Sequence, residues 1–517
     1  MESLSEQPWD VIVAGTGLIQ SLLALALSRS GKKVLHLDQN SHYGGSEAAF
    51  SLDEAAEWVQ QINQHPSRTP FEDATIQVLR PDSDNQAKLA ASRAYTLSLS
   101  PYFLYTRSEL ISVLISSKVY RQLEFMAVGS WWVCSSKEPD NQGHDGEAKQ
   151  LFHRVPGNRE DIFSDGQISM KAKRTLMRFL RHISTNGDDE EQNELTDDNM
   201  SEPFTNYLST KFGVPAELHR PLLSLSLSQL NEQQTSASFA VARVKRHLAS
   251  IGALGPGFGA VVSKYGAGSE ILQVACRASA VGGAVYALDT AIESLADDVG
   301  DEVTSDSKYP VKVRLSNGET VSSGLVFGSA WDVPSEEQPN CTKVARSITI
   351  ASSSFASLFP VTVEGAPVPA SVVLMFPGDT LDSPSSPPVY LQVHSSDTGD
   401  CPRQQSVIYG SISIAGSEGQ ALLERAVDRL LQAEGPEASA LWSLRYTQLG
   451  RLANGGPACS LHSHSSHVFS FPPPSLDLAF EDQTVDLVKE AWVHVVGSSV
   501  PHDEFMIFED REGTSDE

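Results

Sequence analysis

Residues 9–45, WDVIVAGTGLIQSLLALALSRSGKKVLHLDQNSHYGG, decide the fold. Asp10–Ala14 reads as a buried strand, Gly15-Thr16-Gly17 as a tight turn, Leu18–Arg29 as a helix and Lys33–Asp38 as a second strand ending on a carboxylate. With an acid about twenty residues beyond a glycine-rich turn, this is the dinucleotide-binding βαβ layout. Gly15 permits the turn, and Gly17 lets backbone N–H groups approach a pyrophosphate at the helix N-terminus. The third glycine of the GxGxxG pattern is replaced by Gln20. That glycine lets helix and strand lie close, so a long amide there is expected to push the helix away or intrude on the cofactor site. The scaffold is expected to be kept and the cofactor lost. Gly15, Gly17 and Gln20 then form a vestigial loop, and no cofactor is expected.

The chain of 517 residues is long enough for two or more domains. Its 40% hydrophobic and 20% charged residues are ordinary for a globular protein, but its formal charge of −27 is not. That charge argues against nucleic acid and anionic membrane surfaces and favours a partner with a basic face or a cation-bearing tail. Solubility alone also accounts for it. Five scattered cysteines without a CxxC predict reduced thiols in the cytosol rather than disulfides or zinc. The start, MESLSEQPWD, lacks a secretory apolar core, no apolar run reaches the length of a membrane span, and the final GTSDE carries no prenylation box. A cytoplasmic protein is expected, and any lipid it meets should belong to another molecule.

Beyond the opening unit, the pattern predicts a short helix over 47–59, a polar connection over 61–85, an extended stretch over 94–105, a helix over 106–119 and a strand over 122–133. Residues 135–149 read as a polar surface insertion. Four helical stretches follow, at 166–182, 203–211, 215–230 and 235–250, with an acidic loop at 186–202 between the first two. Thr235 and Ser236 are candidate N-caps for the last. Such a run inside an α/β chain reads as a separate helical domain. The α/β pattern resumes at Gly255 with a helix carrying Glu270, Gln273 and Arg277. Sheet is expected at 285–292 and 311–326, the latter turning at Asn317-Gly318, and in several strands between 347 and 414. A helix over 418–433, strands at 441–449 and 468–471, a helix over 482–496 and a mobile acidic tail from His502 complete the chain.

The candidate chemistry is sparse. No GxSxG, HExxH or P-loop occurs, and no catalytic set assembles. His462, His464 and His467 could approach a metal, but no carboxylate or paired cysteine completes a set, so no metal site is expected. Asp38 would hydrogen-bond a ribose in a cofactor-binding protein; here it can simply hold the loop before Tyr43-Gly44-Gly45. Trp131-Trp132 reads as core or strand packing rather than a stacking platform.

Three blocks, taken together, carry a resemblance. DVIVAGTGLIQS…GKKVLHLDQNSHYGG, LYTRSELISVLISSKVYRQLEF and YGAGSEILQVACRASAVGGAVYAL are similar to the ordered signature blocks of the Rab escort proteins and Rab GDP-dissociation inhibitors, and cover roughly residues 9–290. The resemblance implies an α/β, FAD-binding-like (Rossmann-type) multi-sheet domain with an inserted all-helical domain and no flavin. Residues 1–155 and 253–500 would form domain I, 156–252 domain II and 501–517 an acidic tail. It implies GDP-bound Rab GTPases as partners, held by Tyr43, Glu270, Gln273 and Arg277, with the geranylgeranyl tail sheltered in domain II. Glu270 and Arg277 could instead serve an internal salt bridge. Departures from the family pattern are the extra Ser269, the displaced Gly282-Gly283 pair and Ala287 at an apolar platform position.

DIFSDGQISMKAKRTLMRFL resembles the escort-protein segment that docks the Rab geranylgeranyl transferase heterodimer, with Phe163 and Arg174 at the matching spacing. A phenylalanine inserted into a partner pocket beside an arginine suits a binding hot spot, although Phe163 could also pack inside the helical domain and Arg174 be a solvated charge. Leu222, Leu223, Leu225, Leu227, Val241 and Val244 are candidates for the lipid groove, or else ordinary core. The reading is therefore a non-catalytic escort protein with transient membrane contact. A Rab GDP-dissociation inhibitor is the nearest alternative, and a flavin-dependent amine oxidase an alternative of another class.

Overall fold

The computed structural model describes residues 3–64, 69–79, 88–135, 151–156, 162, 168–185, 200–297, 308–335, 339–452, 459–497, 501 and 504–509. Trp9–Ala14, buried everywhere except at Asp10, lies inside an eight-stranded sheet. It pairs parallel with Val34–Leu37 on one side and Thr320–Ser329 on the other, and Val285–Ala287 continues the sheet beyond Val34–Leu37. Continuous apolar runs such as VIVA suit a parallel sheet covered on both faces. The hairpin turning at Asn317-Gly318 joins Val311–Leu315 to Thr320–Ser329, and Gly318 supplies the φ of +86° that the turn needs. Helix Leu18–Arg29 packs with Gly268–Val281 and Gln483–Val496 in one apolar cluster against this sheet.

A second sheet has ten strands. Its order is Phe71–Val78, Ala440–Gly450, Thr342–Ala351, Ser406–Ile412, Val389–Ser395, Ser371–Phe376, Phe125–Cys134, Ala260–Ser263 and Leu104–Tyr105, with Phe152–Arg154 beside Phe125–Cys134. Only the pairing of Ser371–Phe376 with Phe125–Cys134 is parallel. Helix Gly416–Glu434 covers part of one face through Leu422, Leu423, Ala426 and Leu430.

The helical run comprises Met170–Thr185, Phe204–Tyr207 leading into a π-helical turn at Leu208–Phe212, His219–Ser226 and Ala237–Ser250. Ser236 caps the last, its hydroxyl accepting from Phe239 N at 3.3 Å. Phe179, Phe204 and Leu223 of these helices share one cluster with Phe103, Trp131 and Tyr390 of the second sheet and its approach. Residues 475–482 strap the two together. The Arg243–Asp477 and Arg246–Asp482 ion pairs reach from Ala237–Ser250, and the Leu476 carbonyl accepts from both Gln229 and Arg346.

Several expected elements differ. The helix expected over 47–59 is Leu52–Gln64, preceded by a 3-10 turn and the two-residue strand Ala49–Phe50. Ser51 and Glu54 set that start reciprocally: Ser51 N donates to the Glu54 carboxylate at 2.8 Å and Glu54 N to the Ser51 hydroxyl at 3.4 Å. The polar connection over 61–85 contains the edge strand Phe71–Val78. The stretch 203–230 holds shorter helices than expected, broken where Gly213 and Leu227 take positive φ. Residues 504–509 of the tail expected to be mobile are anchored, because Met506 is buried and Phe505 and Phe508 pack on the cluster around Trp492, and 510–517 lie outside the described residues. The expected insertion over 135–149, apart from Ser135, and most of 186–202 lie outside the described residues.

Candidate functional site

The glycine turn is occupied by the chain itself. Asp38 accepts from Thr16 N at 2.8 Å, the Thr16 hydroxyl at 2.5 Å and Asn40 N at 2.8 Å, so it holds the loop that leads to Tyr43. The Thr16 hydroxyl in turn accepts from Gly44 N at 2.8 Å, and Gly44 adopts φ +112°. The helix N-terminus, where a pyrophosphate would lie, is taken by Glu47, whose carboxylate accepts from Leu18 N at 2.7 Å. A Cβ on Gly17 would meet the Gln20 amide oxygen at 2.9 Å and the Glu47 carboxylate at 3.3 Å; one on Gly15 would collide with the Asp332 carboxyl. Gln20 therefore folds back over the turn while its helix stays packed against the sheet.

Three acids thus surround the place of a cofactor phosphate. Burial raises the Glu47 carboxyl to about 7. Burial, followed by the charge of Asp38, raises Asp332 to about 7, and burial also raises Asp38. A second anionic group brought here meets carboxylates rather than free N–H donors. These residues do not fit a flavin or nicotinamide dinucleotide, and no redox step follows from them. Glu47 and Asp332 escaped the sequence reading. Asp332 lies 3 residues beyond its strand partner Ser329, whose hydroxyl it accepts at 2.5 Å, and no local motif marks it.

The residues expected to form the platform lie beside the same unit. On helix Gly268–Val281, Glu270, Gln273 and Arg277 follow a helical repeat on the open face, while Ile271, Leu272, Val274 and Ala275 are buried. Arg277 Nη2 donates to Glu270 Oε1 at 2.8 Å, so the internal pair exists. It is a surface pair, with the arginine side chain 58% exposed. The extra Ser269 is buried and accepts from the Gln273 amide at 3.2 Å, which orients that amide along the face. Tyr43 stands beside this helix, half-buried, its ring edge-on to Tyr286 at 6.1 Å between centroids. Burial and the neighbouring Cys276 push its hydroxyl up. Ala287, on the adjacent strand, is half-buried.

Arg174 is exposed on helix Met170–Thr185, whereas Phe163 lies outside the described residues. Leu222, Leu223, Leu225, Leu227 and Val244 are buried in one core cluster and Val241 packs against it; Leu225 and Leu227 each also line a small cavity of about 40 Å³, and no wide groove opens among them. His462 and His464 meet edge-on at 4.7 Å between ring centroids, but His464 bonds the Ser470 hydroxyl and His467 that of Ser466. Among the described residues, no group of three or more His, Cys, Asp or Glu is placed to hold a metal. All five cysteines are free thiols.

The sequence profile described as GDP dissociation inhibitor matches residues 5–432. The chain belongs to the GDP dissociation inhibitor family. It is 27% identical over 434 residues to the Rab proteins geranylgeranyltransferase component A of Saccharomyces cerevisiae, covering 83% of this chain and 66% of that protein. It is 25% identical over 356 residues to Rab escort protein 1 of Arabidopsis thaliana, covering 62% of this chain and 60% of that one. The chain thus spans somewhat less than two thirds of these relatives' length. A Rab GDI crystal structure from Plasmodium falciparum superposes with a TM-score of 0.65 at 18% identity, over 95% of this chain and 98% of that one. An oxidoreductase from Methanosarcina mazei superposes with a TM-score of 0.54 at 11% identity, over 93% and 99%. Family members and oxidoreductases thus share the α/β fold, and among the described residues no helix is long and apolar enough to cross a membrane.

Proposed function

We propose that this chain is a Rab escort protein: it binds newly made GDP-bound Rab GTPases, presents them to Rab geranylgeranyl transferase, shields the added geranylgeranyl groups and delivers the Rab to membranes. The observation that carries this reading is the open face of Gly268–Val281, where Glu270, Gln273 and Arg277 lie beside Tyr43. An exposed guanidinium and an aromatic ring with a polar tip are residue types on which protein interfaces depend. The Arg277–Glu270 pair holds the fork in place before docking and can exchange its carboxylate for one on the partner. The names of the relatives support the escort reading over that of an inhibitor which only recycles prenylated Rabs.

The role is non-catalytic. The acids around the glycine turn oppose an amine oxidase, and the prenyl transfer belongs to the transferase. A free isoprenoid chain exposes hydrocarbon to water at about 0.8 kcal/mol per CH2-sized group, which is the driving force for sheltering it among the helices 170–250. Since Leu222, Leu223 and Val244 are closed in a core, that shelter requires the helices to part rather than a lipid to enter a waiting slot. Arg174, with Phe163, is the proposed transferase contact.

The deciding experiment is reconstituted prenylation of an unprenylated Rab. The chain should support transfer, and Phe163→Ala should lose that support while keeping Rab binding. Retained Rab binding without any transferase support in the unaltered chain would assign it as an inhibitor instead. A GDP-loaded Rab that does not bind at all would refute the proposal.

A further inference from the structure

Between the two sheets lies a cavity of about 620 Å³, inside the size range of small-molecule sites. The first sheet contributes the acids Asp38 and Asp332, and the loop leading from it Glu47. The second contributes Arg346, and Asp477 and Glu481, each ion-paired to another arginine, line the same cavity from the strap. Arg346 is 3% exposed on Thr342–Ala351, a strand inside its sheet. Its Nε donates to Gln448 Oε1 at 3.0 Å and its Nη2 to the Leu476 carbonyl at 2.9 Å. Both acceptors are neutral, and Arg346 has no ion pair among the described residues. Asp477, the nearby acid, is engaged by Arg243.

A buried guanidinium carries a large desolvation cost that neutral acceptors offset only in part, and it has five N–H donors to satisfy. Nη1 makes no hydrogen bond among the described residues, yet it is not sealed off, which leaves it open to the cavity that Arg346 lines. Tyr446 stands directly opposite Arg346 in the antiparallel pair, on the same sheet face. Its ring packs edge-on against Trp58 at 5.6 Å and Phe71 at 5.5 Å, and these two also line the cavity. An unpaired cation beside an aromatic wall calls for an anion with a flat apolar body. The carboxyl groups across the cavity disfavour added negative charge, so a singly charged anion is favoured over a phosphate carrying two.

We propose that this cavity binds a small aromatic monocarboxylate, its carboxylate on Arg346 and its ring against Trp58 and Phe71. A charge-assisted hydrogen bond from Nη1 to the carboxylate fixes that end of the ligand, and Ile62 completes the apolar side. This site is separate from the platform on Gly268–Val281 and stands whether or not the Rab reading holds.

The test is calorimetric titration of the full chain with indole-3-acetate and with its neutral amide, indole-3-acetamide. The acid should bind saturably and one to one, and the amide about tenfold more weakly or worse. Arg346→Gln should reduce the acid to the amide's affinity, and Ile62→Trp, which narrows the apolar side of the cavity, should weaken both. Equal binding of acid and amide to the unaltered chain would overturn the proposal, as would no saturation of the acid below about 10 mM. The acid–amide comparison needs no variant, so it decides the matter even if Arg346→Gln does not fold. Undiminished binding in a folded Ile62→Trp would place the ligand elsewhere and refute the assignment.

Discussion

Replacing Glu47 by glutamine should stabilise the protein, and most strongly at alkaline pH. In the folded chain the Glu47 carboxyl is raised from 4.5 to about 7 by burial, even though Leu18 N donates to it. A raised carboxyl pKa means that the unfolded chain loses its proton first. Between 4.5 and about 7 the folded state therefore binds more protons, and stability falls as pH rises. The loss is absent below 4.5 and complete above about 7. At about 1.4 kcal/mol per pKa unit, the shift amounts to about 3 kcal/mol. A glutamine oxygen can still accept from Leu18 N but never ionises. Urea unfolding of both proteins should show Glu47→Gln ahead by up to about 3 kcal/mol at pH 8, shrinking to about 1 kcal/mol near pH 5.5. Asp332 titrates over a similar range, while the buried His36 and His247, both lowered to about 4, lose stability as pH falls below 6.5; all three are common to both proteins and cancel in the difference. No gain at pH 8, or a gain that does not vary with pH, would refute the reasoning.

Three further outcomes follow from the geometry. Arg243→Met leaves Asp477, with only 3% of its side chain exposed, buried without its cation, and should cost about 3–5 kcal/mol in urea unfolding; adding Asp477→Leu should recover much of that loss. Arg277→Ala breaks a surface pair and should move stability by less than about 0.5 kcal/mol, yet weaken capture of a GDP-loaded Rab about tenfold in a surface-binding assay. Gln20→Gly restores the missing glycine, but the purified protein should still be colourless and show no flavin absorbance after incubation with FAD, because Glu47 and Asp332 remain at the turn.

The opening βαβ unit was legible because every signal in it is local: a buried run, Gly15 and Gly17, and an acid at the end of the second strand. Val468–Phe471 and the hairpin at Asn317-Gly318 were readable for the same reason. Phe71–Val78 was hidden because it is an edge strand whose sequence, FEDATIQV, is largely exposed; its partner, Ala440–Gly450, is remote in sequence, so only tertiary pairing reveals it. The start of Leu52–Gln64 was available in the sequence, since Ser51 and Glu54 have capping-box spacing, but the apolar residues before it blurred the boundary. The helix carrying Glu270, Gln273 and Arg277 could be placed from its local pattern, whereas the platform role proposed for it comes from the family resemblance. The acids at the turn could not, because a carboxylate at 332 has no sequence relation to a glycine at 15. The candidate groove residues in 222–244 have the same apolar types whether they line a channel or fill a core, and only packing distinguishes the two.

The acids that close the glycine turn come from three separate places in the chain: the end of the second strand, the 3-10 turn after Tyr43 and the loop after Thr320–Ser329. Replacing any one leaves the other two at the turn, so no single substitution clears the place of a phosphate. Each acid also serves the present architecture, as Asp38 does for the Tyr43 loop. The closure of the turn is thus shared among distant segments, and reopening it would need several changes at once.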